Sequence, residues 1–399
     1  MTMPVLQDLD VQGKKVLVRV DCNVPLDQAG KITDDTRIRE ALPTIRYILE
    51  KGGSVILLSH LGRPKAKPDP QFSLKGCADH LAILLGQPVL FHEGCVDEGA
   101  RNICRSLKPG QVVMLENLRF HKGEEKPEED PSFTEKLASL GDLYVNDAFA
   151  AAHRAHASTA RLAHFFPGKC AAGFLLQKEI LQLSALLSSP EVPFYAIIGG
   201  SKVSSKLGVL HGLVDKTDAF FIGGGMAYTF LAALGKKIGS SIYEPDMLEK
   251  AKDFLAACQK RSVPVFLPED HVIADAFSND AQKRIVTSSE GIPENWQGMD
   301  IGPRSLAVWE KALIPAKTIF WNGPVGVFEF PQFAHGTQSL ARFLAGLHCI
   351  KVVGGGDSIA AISSLHLENQ FTHVSTGGGA ALEFIEFGHL PGIDALIQA

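Results

Sequence analysis

Two kinds of strand ending divide this chain. In the first half, apolar runs end in Asp, Asn, His and Arg: VLVRVDCNVP (Val16–Pro25), VILLSHLGRP (Val55–Pro64), VVMLENLRFH (Val112–His121) and LYVNDAFAAAHRAH (Leu143–His156). In the second half, comparable runs end in glycine and then turn helical: AIIGGSKVSSK (Ala196–Lys206), FFIGGGMAYTF (Phe220–Phe230), KVVGGGDSIAA (Lys351–Ala361) and HVSTGGGAALEF (His373–Phe384). The runs lack polar alternation, as strands buried on both faces of a parallel sheet do. Helical stretches separate them throughout, which predicts an α/β fold of two doubly wound, Rossmann-like parallel-sheet domains with a cleft between them. Ligands of such sheets lie beyond the carboxyl ends of the strands. One set of endings suits a small anion and the other a nucleotide.

At 399 residues the chain exceeds one ordinary core. GFLLQKEILQLSALLSSPEVP (Gly173–Pro193) has apolar residues at helical spacing and closes on Ser188, Ser189, Pro190 and Pro193, so it reads as a connecting helix. Four segments follow: an N-terminal domain over 1–172, the connecting helix and hinge over 173–193, a C-terminal domain over 194–385, and a tail over 386–399 that folds back toward the first domain. Net charge is only −5, so no polycationic surface exists for nucleic acid, and anion binding must be local. The N-terminus lacks the apolar core of a signal peptide and no apolar run is long enough to span a bilayer, from which a cytoplasmic protein is expected. Seven scattered cysteines without a CxxC pair read as reduced, packed thiols and not as a metal cluster. The acidic stretch GEEKPEED (Gly123–Asp130) reads as a solvated loop.

Arg37, His60, Arg63, Arg119, His153, Arg154 and His156 form a basic set. Guanidinium forks match carboxylate and phosphate oxygens. Singly, each is better explained by a surface ion pair. Because four strand ends contribute or lie near such groups, the set points to a small substrate carrying phosphate and carboxylate. Asp21 and Asn23 stand among these cations as acceptors and donors for a substrate hydroxyl, or as a turn before Pro25.

Gly199–Gly200, Gly223–Gly225, Gly354–Gly356 and Gly377–Gly379 each lie between a strand and a helix start, where a backbone without Cβ lets N–H groups approach phosphate. Neither a GxxxxGK[ST] P-loop nor GxGxxG is present, which disfavours a P-loop ATPase and a nicotinamide dehydrogenase. Asp357 suits either a Mg²⁺ contact on nucleotide phosphates or a plain N-cap. Lys202 and Lys206, four apart, are placed on one face at the start of the helix after Gly199–Gly200. WNGPVGVFE (Trp321–Glu329) adds a turn, with Glu329 able to accept from ribose hydroxyls.

RVDCNVP, TRIR, SHLGRP, ENLRFH, NDAF with AHRAHAST, GGSKVSSK, IGGGMAYTF, GMDIGP, WNGPVGVFE, GGGDS and STGGGA occur in the order of one family. The chain resembles the phosphoglycerate kinases over essentially its whole length. That resemblance implies 3-phosphoglycerate at Asp21, Asn23, Arg37, His60, Leu61, Gly62, Arg63, Arg119 and Arg154. It implies ATP or ADP at Lys206, Gly298, Glu329, Gly355, Gly356, Asp357 and Ser358, with Mg²⁺ on Asp357. Arg37, Lys206, Lys202 and Gly378 are the implied catalytic groups. Small-molecule substrates, a monomer, and no nucleic-acid or membrane partner are implied. Ala150, Ala151, Ala381 and His389 depart from the family pattern without removing a charge from the proposed site.

The implied reaction moves a phosphoryl group between 1,3-bisphosphoglycerate and MgADP, which demands in-line positioning and charge neutralisation and uses no general base. Domain closure would bring the two ligands together and exclude water. The rival readings are a catalytically silent two-ligand binding module and a dehydrogenase. Intact Lys206, Arg37 and Asp357 argue against the first, and the missing GxGxxG against the second.

Overall fold

The structure, a computed structural model, describes residues 3–399. Contacts group the described residues into two units: one runs to Leu181 and includes His389–Ala399, and the other is Gln182–Gly388. The division falls inside the helix Phe174–Ser188.

The first unit is built on β1 (Lys15–Arg19), β2 (Ser54–Leu58), β3 (Val89–His92), β4 (Val112–Leu115), β5 (Leu143–Asn146) and β6 (Cys170–Ala172). They form one parallel sheet in the order β3-β4-β2-β1-β5-β6. Every residue of β2 and β4 is buried, including Ser54 at the start of the otherwise apolar β2. Val, Leu and Ile side chains shut away there contribute roughly 1.5–3 kcal/mol each. The helix Thr36–Glu50 lays Ile38, Ala41, Leu42, Ile45 and Ile48 on this sheet, a helical stripe that places Arg37 in its first turn.

The second unit holds β7 (Phe194–Ile198), β8 (Ala219–Ile222), β9 (Val265–Phe266), β10 (Asp270–Ala274), β11 (Lys283–Thr287), β12 (Gln297–Ile301), β13 (Thr318–Asn322), β14 (Ile350–Gly354) and β15 (His373–Ser375). Six make a parallel sheet in the order β15-β14-β13-β7-β8-β9, so the two doubly wound sheets match the expectation. The uninterrupted β-then-α alternation does not hold. β10, β11 and β12 form a separate antiparallel sheet, with β10 in the middle. Segment 275–282 carries Ser278, Asn279 and Asp280 and is too short for a crossover helix, which leaves antiparallel pairing.

The acidic stretch departs from its reading as well. Lys122–Glu125 is one helical turn, and Glu124 is fully buried, because Ser158 donates to both of its oxygens. All seven cysteines are free.

Candidate functional site

In the first unit, strand order reverses beside β1 and β5, and the residues after their carboxyl ends converge. Arg37 donates to Asp21 Oδ2 at 2.5 Å, and Asp21 Oδ1 accepts from the Asn23 N–H at 2.9 Å. Asn23 Oδ1 accepts from the Gly62 N–H at 2.8 Å, and Arg119 donates to the Gly62 carbonyl at 2.9 Å. Asn117 holds the Leu61 carbonyl at 2.7 Å. Gly62 has φ +61°, and a Cβ there would lie 2.4 Å from the Phe72 ring, so both conformation and contact demand glycine. One network thus joins Asp21, Asn23, Arg37, Leu61, Gly62 and Arg119. Arg154 is exposed, and its charge helps to lower the pKa of His156. Arg63 is exposed and tied to this network by no hydrogen bond or ion pair among the described residues.

The charge of this set resides in its arginines. Burial holds His60 well below its ordinary pKa; burial, followed by the charges of Arg119 and Arg19, lowers His156 to about 3. Both rings are neutral near pH 7. Burial alone would raise Asp21, but the basic groups around it and the Asn23 N–H more than offset that, so it stays ionised. Sequence reasoning missed Arg19, whose side chain is buried inside β1's carboxyl end and touches both His60 and Ser158. Its only sequence signal is a charge interrupting the apolar run VLVRV.

In the second unit the reversal falls between β13 and β7. Their turns pack backbone on backbone: the Gly199 N–H donates to Asn322 O at 2.8 Å and the Gly200 N–H to Pro324 O at 2.9 Å. A Cβ on Gly199 would sit 2.2 Å from Pro324 O. These glycines serve turn-on-turn contact. Gly356 and Gly378 differ, since a Cβ on either meets nothing within 4 Å, and Gly378 has φ +54°. They open the helices Gly356–Ser363 and Gly379–Phe387, whose first N–H groups suit an anion.

Beside these turns lies a cavity of about 550 Å³ whose lining includes Gly298, Glu329 and Asp357, with Ile242, Phe277 and Val325 as apolar wall. A Cβ on Gly298 would lie 1.7 Å from the Tyr228 hydroxyl, so this wall cannot carry a side chain there. The N-cap of the helix Gly356–Ser363 is Gly355, at φ +88°, which leaves Asp357 exposed in the first turn and settles against the capping alternative. Ser358 is buried and its hydroxyl accepts from the Gly323 N–H at 2.6 Å, fixing one glycine turn to the next.

Lys202 and Lys206 do not share a helix face. The helix begins at Leu207, with Lys206 as its N-cap, because Glu244 captures the Ser204 N–H and hydroxyl and bends the segment into a turn. Lys202 is exposed beside Glu244. Lys206 Nζ bonds Asn322 Oδ1, and burial lowers its pKa to about 8 despite the opposing pull of Asp357. Asn322, at the end of β13, is the second residue that sequence reasoning missed.

Among the described residues no group of three or more His, Cys, Asp or Glu could hold a metal ion. A single exposed carboxylate in the first turn of the helix Gly356–Ser363 nevertheless fits Mg²⁺, which takes one or two carboxylates and completes its shell with phosphate oxygens and water. No helix among the described residues is long and apolar enough to cross a membrane.

The phosphoglycerate kinase family profile matches residues 6–387. The chain belongs to the phosphoglycerate kinase family. It is 50% identical to the phosphoglycerate kinase of Koribacter versatilis over 98% of each chain. It is 49% identical to the cytosolic phosphoglycerate kinase of Triticum aestivum, covering 99% of this chain and 98% of the relative. Among solved structures, the phosphoglycerate kinase of Coxiella burnetii superposes with a TM-score of 0.89 at 40% identity, over 100% of this chain and 99% of the other. That of Pyrococcus horikoshii gives 0.85 at 33% identity, over 99% and 98%. The phosphoglycerate kinase frame therefore includes the antiparallel β10–β12 segment as well as both parallel sheets.

Proposed function

We propose that this chain is a working phosphoglycerate kinase, moving a phosphoryl group reversibly between 1,3-bisphosphoglycerate and ADP to give 3-phosphoglycerate and ATP, a step of glycolysis and gluconeogenesis. The observation that carries the reading is the second unit's cavity, rimmed by Asp357 in the first turn of the helix Gly356–Ser363 and approached by Lys206, which lies against the lining residue Gly200. Its volume suits a small-molecule ligand, and its apolar wall suits a base.

In this reading the first unit binds 3-phosphoglycerate through Asp21, Asn23, Arg37, His60, Leu61, Gly62, Arg63, Arg119 and Arg154. The second binds nucleotide through Lys206, Gly298, Glu329, Gly355, Gly356, Asp357 and Ser358. Gly298 and Glu329 line the base and ribose side; Ser358 acts by fixing the loop. Asp357 would hold Mg²⁺, which when bound with the nucleotide neutralises charge on its phosphate oxygens. Arg37, Lys206, Lys202 and the Gly378 N-terminus would stabilise the charge on the transferring group's oxygens. The acceptor carboxylate of 3-phosphoglycerate is already ionised near neutral pH, so no group needs to remove a proton. A site made of arginines, a lysine and bare N–H groups suits that chemistry. The protein would act as a cytoplasmic monomer on small molecules.

The test is ATP formation from 1,3-bisphosphoglycerate and MgADP by the purified protein. Binding of both ligands without turnover would instead make it a silent two-ligand module.

A further inference from the structure

The residues that sequence reasoning overlooked in the first unit form one continuous chain of hydrogen bonds. Arg19 is 1% exposed, and Ser158 and Glu124 are fully buried. Arg19 Nε donates to Ser158 Oγ at 2.8 Å, and Arg19 Nη2 lies 3.0 Å from His60 Nδ1. Ser158 Oγ donates to Glu124 Oε1 at 2.6 Å, and the Ser158 N–H donates to Glu124 Oε2 at 3.1 Å. The Tyr144 hydroxyl fixes the Ser158 carbonyl at 2.6 Å.

Each link has one possible direction. A guanidinium has five donors and no acceptor, so both Ser158 Oγ and His60 Nδ1 must accept from Arg19. Ser158, accepting on its oxygen, turns its own proton toward the carboxylate. An Nδ1 that accepts carries no proton, and the neutral ring then carries its hydrogen on Nε2. His60 Nε2 has no hydrogen-bond partner among the described residues, and it is absent from the unpaired atoms sealed from solvent. The ring is set among Asp21, Arg37 and Arg119, all of which act on it electrostatically. A free N–H donor thus remains on a ring among these charges, held from behind by a chain of bonds that runs back to the buried carboxylate of Glu124, whose pKa burial raises against the opposing pull of Arg19.

We infer that Ser158 and Glu124 are positioning residues: acting through Arg19, they lock His60 in the tautomer with bare Nδ1 and present Nε2–H to an acceptor oxygen of the bound phosphoglycerate. This rests on the substrate assignment of the first unit. His60 then contributes a directed hydrogen bond and no charge, and the arginines contribute the charge. Glu124 balances Arg19 through the serine, which frees Arg19 from pairing with the substrate's own anionic groups.

The experiment is nitrogen-15 NMR of the full-length protein labelled at histidine, with long-range correlations from the ring protons to identify the protonated nitrogen. The expected result is an unprotonated, imine-type Nδ1 and a protonated, pyrrole-type Nε2 for His60. Ser158→Ala and Glu124→Gln, checked for folding by circular dichroism, should mix the tautomers. Each should raise the KM for 3-phosphoglycerate roughly three- to tenfold, the worth of one hydrogen bond, and by more than kcat falls. A protonated Nδ1 in the wild type overturns the inference, and that measurement needs no variant. A folded Ser158→Ala chain in which either the tautomer or the KM is unchanged overturns it too. Absence of wild-type turnover would sink the functional reading while leaving the tautomer result intact.

Discussion

Lys206 is held in a position that costs the folded protein stability while its amine is charged. Its pKa falls from 10.5 to about 8 because burial disfavours the ammonium. At about 1.4 kcal/mol per pH unit, that shift amounts to about 3 kcal/mol of destabilisation while the group is charged. The folded pKa is the lower one, so at pH 7 both states are protonated and the whole cost is present. It vanishes as pH rises from about 8 to 10.5, where the folded chain has already lost the proton. Lys206→Met removes the cost but leaves Asn322 Oδ1 unpaired beside an Nδ2 that already lacks a partner. That orphaned acceptor costs about 1–2 kcal/mol, leaving a net gain of about 1–2 kcal/mol at pH 7. For a unit of this size the gain is a rise of about 2–8 °C in the melting midpoint. Turnover should fall by about 10²–10³, the cost of one lost charge-stabilising contact. Calorimetry at pH 7 and pH 10, with a coupled ATP assay, reads both quantities. A variant that is less stable at pH 7, or keeps turnover within about tenfold of wild type, would refute the reasoning.

Three further outcomes are expected. Arg154→Ala should raise KM for 3-phosphoglycerate more than KM for ATP in steady-state kinetics; the reverse order would remove Arg154 from the substrate set. Gly298→Ala forces a methyl against the Tyr228 hydroxyl, so it should weaken nucleotide binding by titration calorimetry while costing about 1–3 kcal/mol of stability; unchanged affinity would place the base elsewhere. Asp147 is fully buried and accepts from the Leu175 and Leu176 N–H groups at 2.9 and 3.2 Å, and burial raises its carboxyl to about 7. Its folded pKa is the higher one, so the stability it contributes at acid pH is lost as pH rises from about 4 through about 7. Asp147→Asn should therefore gain in urea midpoint at pH 8 relative to wild type and show no gain at pH 4.

Both parallel sheets were legible because β4 and β7 are apolar from end to end and β2 and β13 are apolar apart from their terminal residues, and burial on both faces leaves that trace. β11 and β12 left little trace: KRIVT is largely exposed and QGMDI is half polar, so neither reads as a buried strand. Site residues at strand ends were visible as polar interruptions after apolar runs. Glu124 was not, since an acidic residue among acidic neighbours looks solvated until its long-range partner Ser158 is known. Spacing placed Lys202 and Lys206 on one helix face because it could not register Glu244, some forty residues on, unwinding that turn. Glycine content signalled tight turns correctly, yet only the folded packing separates Gly199, hemmed in by another turn, from Gly378, where a Cβ would meet nothing.

The chain leaves the first unit at Leu181 and returns to it only at His389. The returning segment buries Leu390, Ile393 and Leu396, and the Gly392 N–H donates to Ala152 O at 2.8 Å. During synthesis, the half made first must wait with an unsealed apolar face until the half made second has left the ribosome. A chain ending at residue 388 would hold every residue of the second unit and still lack the segment that completes the first. The order of translation and the order of structural completion therefore run in opposite directions, and chaperones would meet the earlier-made unit for longer.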